Sequence, residues 1–181
     1  MHRVIGPRIL LPLIGLLAVA PATAQVDDVL AEPGDVMADT VHGRIDDWFV
    51  LRTVDGEEVP YGAFQGRVLF VNFWATWCAP CIEEMPTIVE LARSFERSDM
   101  AFLLVSIDDD ERNARRFAEE LDLLRFVYFR GWEPWTSTFR AGIVPATFVV
   151  DRDGSIVYQH HGAADWNAER IRHFLREKAS G

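Results

Sequence analysis

The 181 residues contain two cysteines, and they stand three apart in Trp77-Cys78-Ala79-Pro80-Cys81. Two sulfurs at that spacing suit thiol–disulfide exchange: one thiolate attacks a disulfide, and the second, one helical turn away, attacks the mixed disulfide that results. The pair sits where an apolar run, Val68-Leu69-Phe70-Val71-Asn72-Phe73-Trp74, gives way to a helical pattern. A cysteine at a helix start faces unpaired backbone N–H groups and the positive end of the helix dipole, which favour its thiolate and lower its pKa. Cys78 is therefore the expected nucleophile and Cys81 the expected resolving thiol.

Other roles for the pair are weaker on physical grounds. As a structural staple it closes a loop of about four residues, worth roughly 2 kcal/mol in the chain-entropy account, far less than a long loop gains. As half of a zinc site it lacks thiolate partners, and His160 and His161 are adjacent where a Cys2His2 site needs them three to five residues apart. Two reduced bystander thiols at a strand-to-helix junction are the third alternative. A peroxidase is a poor fit, since neither cysteine follows the Pro-x-x-x-Thr-x-x-Cys pattern.

The first segment bears on compartment. Arg3 and Arg8 precede an apolar stretch over residues 9–20 that is short for a bilayer span, and Ala22-Thr23-Ala24 follows as a small-x-small cleavage signal. Residues 1–24 read as a secretory signal peptide cleaved after Ala24, with an uncleaved membrane anchor as the alternative. Export to a periplasm places the cysteines where disulfides persist, so the pair must trade electrons with partners. Loss of two arginines would move the formal net charge from −10 to about −12, which disfavours nucleic acid and anionic membrane surfaces as partners. The acidic cluster Asp108-Asp109-Asp110-Glu111 reads as a helix N-terminus, or else as a docking surface for a basic partner.

The elements that must position the sulfurs follow from periodicity. Residues 25–46 are acidic, contain Pro33 and Gly34 and lack a period, so they read as a flexible lead-in to one domain over 47–181, which the 49% hydrophobic composition can supply with a core. Residues 48–52 and 58–61 flank the hairpin signal Asp55-Gly56. Residues 67–73 form a buried strand, and Ile82, Met85, Val89, Ala92 and Phe95 recur at helical spacing, with Pro86 expected to kink that helix. Residues 100–107 are a strand. Ala114, Phe117, Ala118, Leu121 and Leu124 form a second helical stripe, and 126–129 a short strand. Strands at 146–150 and 156–159 join at Asp153-Gly154, and a last helix from about Asn167 buries Ile171, Phe174 and Leu175. This order predicts an α/β fold: a central mixed sheet with helices on both faces and an N-terminal hairpin extension.

The stretch from Phe70 to Cys81, with Val144-Pro145-Ala146-Thr147-Phe148 downstream, resembles a thioredoxin fold, and Cys81-Ile82-Glu83-Glu84-Met85-Pro86 narrows the likeness to exported TlpA/ResA-like thiol–disulfide oxidoreductases. That resemblance covers residues 48–178. It implies a cis Val144–Pro145 bond against the cysteine pair, with the Val144 backbone and Trp77 meeting an incoming peptide and Ala79-Pro80 tuning the potential. It also implies that Glu84 is an active-site carboxylate exchanging a proton with Cys81, although a water-facing residue that merely favours the helix dipole is the other reading. Asn72 departs from cytoplasmic thioredoxins, which carry a titratable aspartate there, so proton transfer falls to Glu84 or water. Trp74 is expected in the core. Trp132 and Trp135 are satellite core or a client interface, and of His160 and His161 one is expected exposed and one half-buried. No cofactor or metal is implied. The implied activity is reduction of disulfides in exported proteins, with apocytochrome c as client, copper-delivery proteins as the alternative, and a membrane thiol electron donor to restore the dithiol. A non-catalytic binding module on the same scaffold is the rival.

Overall fold

An apolar run with no polar break on either face needs cover on both sides. In the computed structural model, which describes residues 44–45, 50–95, 100–130 and 143–181, that run is strand β3 (Val68–Trp74), and all seven of its residues are buried. The signal segment, nearly all of the lead-in, Trp132 and Trp135 lie outside the described residues. β3 pairs in parallel with β4 (Met100–Ser106) and antiparallel with β6 (Ala146–Val150). The first hairpin, β1 (Val50–Thr53) and β2 (Glu58–Pro60), turns through Gly56 at φ +87, a conformation that favours glycine. With β5 (Val127–Arg130) and β7 (Ile156–His161), the seven strands lie in the order β2-β1-β5-β4-β3-β6-β7. β1 joins β5 antiparallel, so the hairpin extends one edge of the sheet.

The helices are α1 (Ala79–Arg93), α2 (Glu111–Glu120) and α3 (Glu169–Ser180). Side chains alternate across the strands. Val68, Phe70, Trp74, Phe102 and Leu104 share a core with Met85 and Ile88 of α1, Ala114 and Ala118 of α2, and Ile171 and Leu175 of α3. Leu69, Val71, Phe73, Leu103 and Val105 face the other way and are covered by Ile45, Tyr61 and Phe64. The mixed sheet flanked by helices matches expectation: among the described residues the three α-helices share one core, and the 3-10 turn Tyr61–Phe64 covers the other face. For α1 and α2 the shared side is topological, because β3 to β4 and β4 to β5 are parallel crossovers stepping in the same direction, and right-handed crossovers of that kind place both helices on the same side.

Local details also differ. α2 stops at Glu120, and Asp122 takes φ +57, so Leu124 belongs to a separate 3-10 turn (Leu124–Phe126) and not to the helical stripe. Pro86 lies inside α1, as expected, at an exposed position. α3 begins at Glu169, two residues after the expected start.

Candidate active site

α1 begins directly after Cys78, which is its N-cap in extended geometry. The first four N–H groups of a helix have no partner within it. Here the Cys81 N–H donates to Cys78 Sγ at 3.3 Å, and the Ile82 N–H donates to the Cys78 carbonyl at 3.2 Å. Ala79 and Pro80 occupy the first two helical positions and are exposed. A proline fits there because the helix would not use its N–H. The two sulfurs are bonded, with the Cα atoms 5.3 Å apart. Their access differs: Cys78 is 6% exposed and Cys81 is 0% exposed. A client sulfur can therefore reach Cys78 first.

The loop that presents Cys78 is tied to the end of β4. The Thr76 N–H donates to the Asp108 carboxylate at 3.1 Å, the Thr76 hydroxyl at 2.5 Å, and the Ser106 hydroxyl at 2.8 Å. The Cys78 N–H closes a turn onto the Ala75 carbonyl. Trp74 is buried and packs on Phe117, whereas Trp77 is 66% exposed. On the other flank, the Val144–Pro145 peptide bond is cis, and Ala146 pairs with Phe73, which sets Pro145 level with the end of β3. The Gly162 N–H donates to the Pro145 carbonyl at 2.9 Å, and Ile143 beside them is exposed.

One turn beyond Cys81 on the same helix, Glu84 is 3% exposed and does not face water. Its Oε1 accepts from Asn72 Nδ2 at 2.9 Å, and its Oε2 accepts from Trp166 Nε1 at 2.7 Å and from the Ala164 N–H at 3.1 Å. Burial pushes the Glu84 carboxyl above its ordinary range, and the bonds from Trp166, Asn72 and Ala164 pull the other way without cancelling it. Asn72 also donates to Thr147 Oγ1 at 2.8 Å, while its Oδ1 accepts no bond from any described residue. His160 is half-buried, its ring is edge-on to Trp166, and burial holds its imidazole below the ordinary range; His161 is exposed.

The fold thus places Cys81 and Glu84 on α1 with Cys78 as its N-cap, Trp77 exposed just before it, and Pro145 next to Ala146, the β6 partner of Phe73. Three further residues build the site. Asp110 caps α2 by accepting from the Arg112 N–H, but Asp108 of the same acidic cluster holds the cysteine loop. Thr147 is the one hydroxyl in the otherwise apolar β6, a signal that was available in the sequence. Trp166 sits in an irregular turn, where nothing local marks it as a partner of Glu84. Among the described residues no cluster of three or more metal-binding side chains is present.

The Redoxin family matches residues 32–173. Two Bacillaceae proteins named thiol-disulfide oxidoreductase ResA are similar: that of Geobacillus thermodenitrificans at 31% identity over 60% of this chain, and that of Bacillus cereus at 29% over 71%. The matches span 62% and 73% of those proteins, so the first is covered over less than two thirds of its length. Among solved structures, a thioredoxin-family thiol:disulfide interchange protein from Chlorobium tepidum superposes with a TM-score of 0.61 at 21% identity, covering 76% of this chain and 99% of that one. That likeness bears on the fold.

Proposed function

The chain belongs to the Redoxin family, on its TlpA/ResA-like branch, and from that premise we propose that it is a periplasmic thiol–disulfide oxidoreductase that reduces disulfides in exported proteins. The observation that carries this reading is the asymmetric cysteine pair: an N-cap cysteine that keeps slight exposure and a fully buried cysteine one turn behind it.

In the reduced protein, the Cys78 thiolate attacks one sulfur of a client disulfide. The client S–S bond breaks, one client sulfur leaves as thiolate, and a Cys78–client disulfide forms. Cys81 then loses its proton and attacks Cys78 Sγ. The mixed disulfide breaks, the second client sulfur leaves, and the Cys78–Cys81 bond closes. Two electrons pass to the client. Glu84, buried one turn away, takes the Cys81 proton, and the upward push of burial on its carboxyl suits it to hold that proton. Trp77 and the Val144–Pro145 segment bound the surface where a client strand lies, and the exposed Ala79-Pro80 pair tunes the potential. A membrane thiol donor restores the dithiol.

Periplasmic placement is supported by the sequence of residues 1–24, and the name thiol-disulfide oxidoreductase carried by relatives supports the exchange chemistry. The client is apocytochrome c, whose Cys-x-x-Cys-His must be reduced before haem attachment. Copper-delivery proteins are the competing client. Cys81→Ser is the test: without the resolving thiol, Cys78 stays joined to its client, and mass spectrometry of the trapped adduct identifies it. An apocytochrome adduct is the expected result. Capture of copper-delivery proteins alone redirects the pathway, and absence of any adduct in cells making cytochromes overturns the reading.

A further inference from the structure

A carboxylate buried as deeply as Glu84 needs donors on both oxygens, and different elements supply them. Oε1 meets the Asn72 amide of β3, and Oε2 meets the Ala164 N–H and the Trp166 indole N–H, both from the turn between β7 and α3. Trp166 is itself 1% exposed. Its ring stands edge-on to Phe70 of β3 and to Tyr158 and His160 of β7, and its backbone N–H donates to Thr87 Oγ1 of α1 at 3.1 Å. Packed on several sides and tied at its backbone, the indole cannot swing its N–H away from Oε2.

We propose that Trp166 is a positioning residue for the exchange reaction: its indole N–H fixes Oε2 of Glu84, so that the carboxyl proton is carried on Oε1. This rests on the reading of Glu84 as the proton partner of Cys81. An indole N–H only donates, so it supports the ionised carboxylate and cannot itself relay the proton. With two donors on Oε2, a proton there would meet two other hydrogens. On Oε1 it meets the Asn72 amide, which has an unpartnered Oδ1 that a flip of the amide turns towards it. Trp166 thereby sets both the site and the ease of protonation.

The titratable groups around Glu84 are few among the described residues. α1 carries Cys78 and Cys81 nearby and the exposed Glu83 and Glu90; β7 brings His160 and Tyr158, which meet Glu84 only through the Trp166 ring; and Asp165 in the turn is exposed. β3 and β6 contribute the non-titrating Asn72 and Thr147.

The experiment uses Trp166→Phe together with replacement of Trp166 by 3-benzothienylalanine, which keeps the two-ring shape but has sulfur in place of the N–H. Two readouts are taken on the reduced full-length protein: the carbon-13 titration of the Glu84 carboxyl, and the pH profile of its reaction with oxidised glutathione. Losing one hydrogen bond to a charged acceptor should move the Glu84 midpoint up by about one to two pH units, with the profile break moving alongside. In a Glu84→Gln background the same replacements should leave the profile unmoved. An unchanged carboxyl midpoint in the benzothienyl variant overturns the proposal, as does an equal profile shift in the Glu84→Gln background. A Glu84→Gln profile that matches the wild type throughout, with every break in place, sinks instead the underlying role of Glu84.

Discussion

Truncating and neutralising Glu84 should have opposite consequences for stability. In Glu84→Ala, the Ala164 N–H and the Trp166 indole N–H lose the one acceptor each has among the described residues, while Asn72 Nδ2 keeps Thr147. The stranded buried indole N–H costs about 1–3 kcal/mol, and the part-buried Ala164 N–H adds less than that. Glu84→Gln keeps the shape. Its oxygen takes the two bonds at the Oε2 position, and its amide nitrogen faces Asn72, whose unpartnered Oδ1 can turn to accept from it and from the Thr147 hydroxyl. That turn leaves Asn72 Nδ2 without an acceptor, but a protonated Glu84 requires the same turn, so Glu84→Gln should lie within about 1 kcal/mol of the wild type at pH 4. The pH dependence follows from linkage. Because burial raises the folded-state pKa of Glu84, the wild type binds this proton more tightly folded than unfolded. Its stability is therefore greatest below the ordinary carboxylate range and declines as pH climbs through the folded-state value, by about 1.4 kcal/mol for each unit of elevation. Glutamine has no such decline. The stability of Glu84→Gln minus that of the wild type must grow between pH 4 and pH 8. Urea denaturation of the oxidised proteins at the two pH values, followed by tryptophan fluorescence, measures both effects. A constant or shrinking difference refutes the linkage argument, and an alanine variant as stable as the glutamine variant refutes the hydrogen-bond argument.

Two other sites give independent checks. Cys78→Ser and Cys78→Ala should both abolish insulin reduction, yet serine keeps an N-cap acceptor for the Cys81 N–H and alanine does not, so the alanine form should be less stable by about 1 kcal/mol; residual turnover in Cys78→Ser would contradict the mechanism. Asp108→Ala frees the Thr76 N–H and hydroxyl, and should lower stability by about 1–3 kcal/mol. Because the freed loop carries Trp77 and Cys78, turnover of a protein disulfide should fall further than turnover of a small aromatic disulfide. Equal falls for the two substrates would show that Asp108 supports the fold alone.

What could be read from the sequence is what depends on near neighbours along the chain. The strand end at Trp74, the proline at the second helical position and the two sulfurs are all near neighbours along the chain, so the N-cap role of Cys78 follows from local rules. The unbroken apolar β3 and the turn at Gly56 are equally local. Asp108 and Asp110 show where those rules stop. Both fit a helix-capping cluster, but only Asp110 caps α2; Asp108 accepts from its neighbour Ser106 and from Thr76, 32 residues earlier and on another element. The face on which the helices lie is likewise hidden until strand order is known, since handedness assigns a side only once the direction of each crossover is set. Glu84 is the sharpest case. Its helical position is compatible with water or with burial, and the partners that decide the matter, Ala164 and Trp166, are 80 and 82 residues away. Asn72 lies on the boundary between the two kinds of information. Its side-chain type alone says that it cannot titrate, but its service as a donor to Glu84 depends on the β3–β6 register that sets it opposite Thr147. A carboxylate whose charge is controlled by groups from a distant turn and an inner strand keeps its proton affinity only while the whole sheet and α1 hold together, so the proton chemistry of the site is a property of the fold and not of the Cys-x-x-Cys segment.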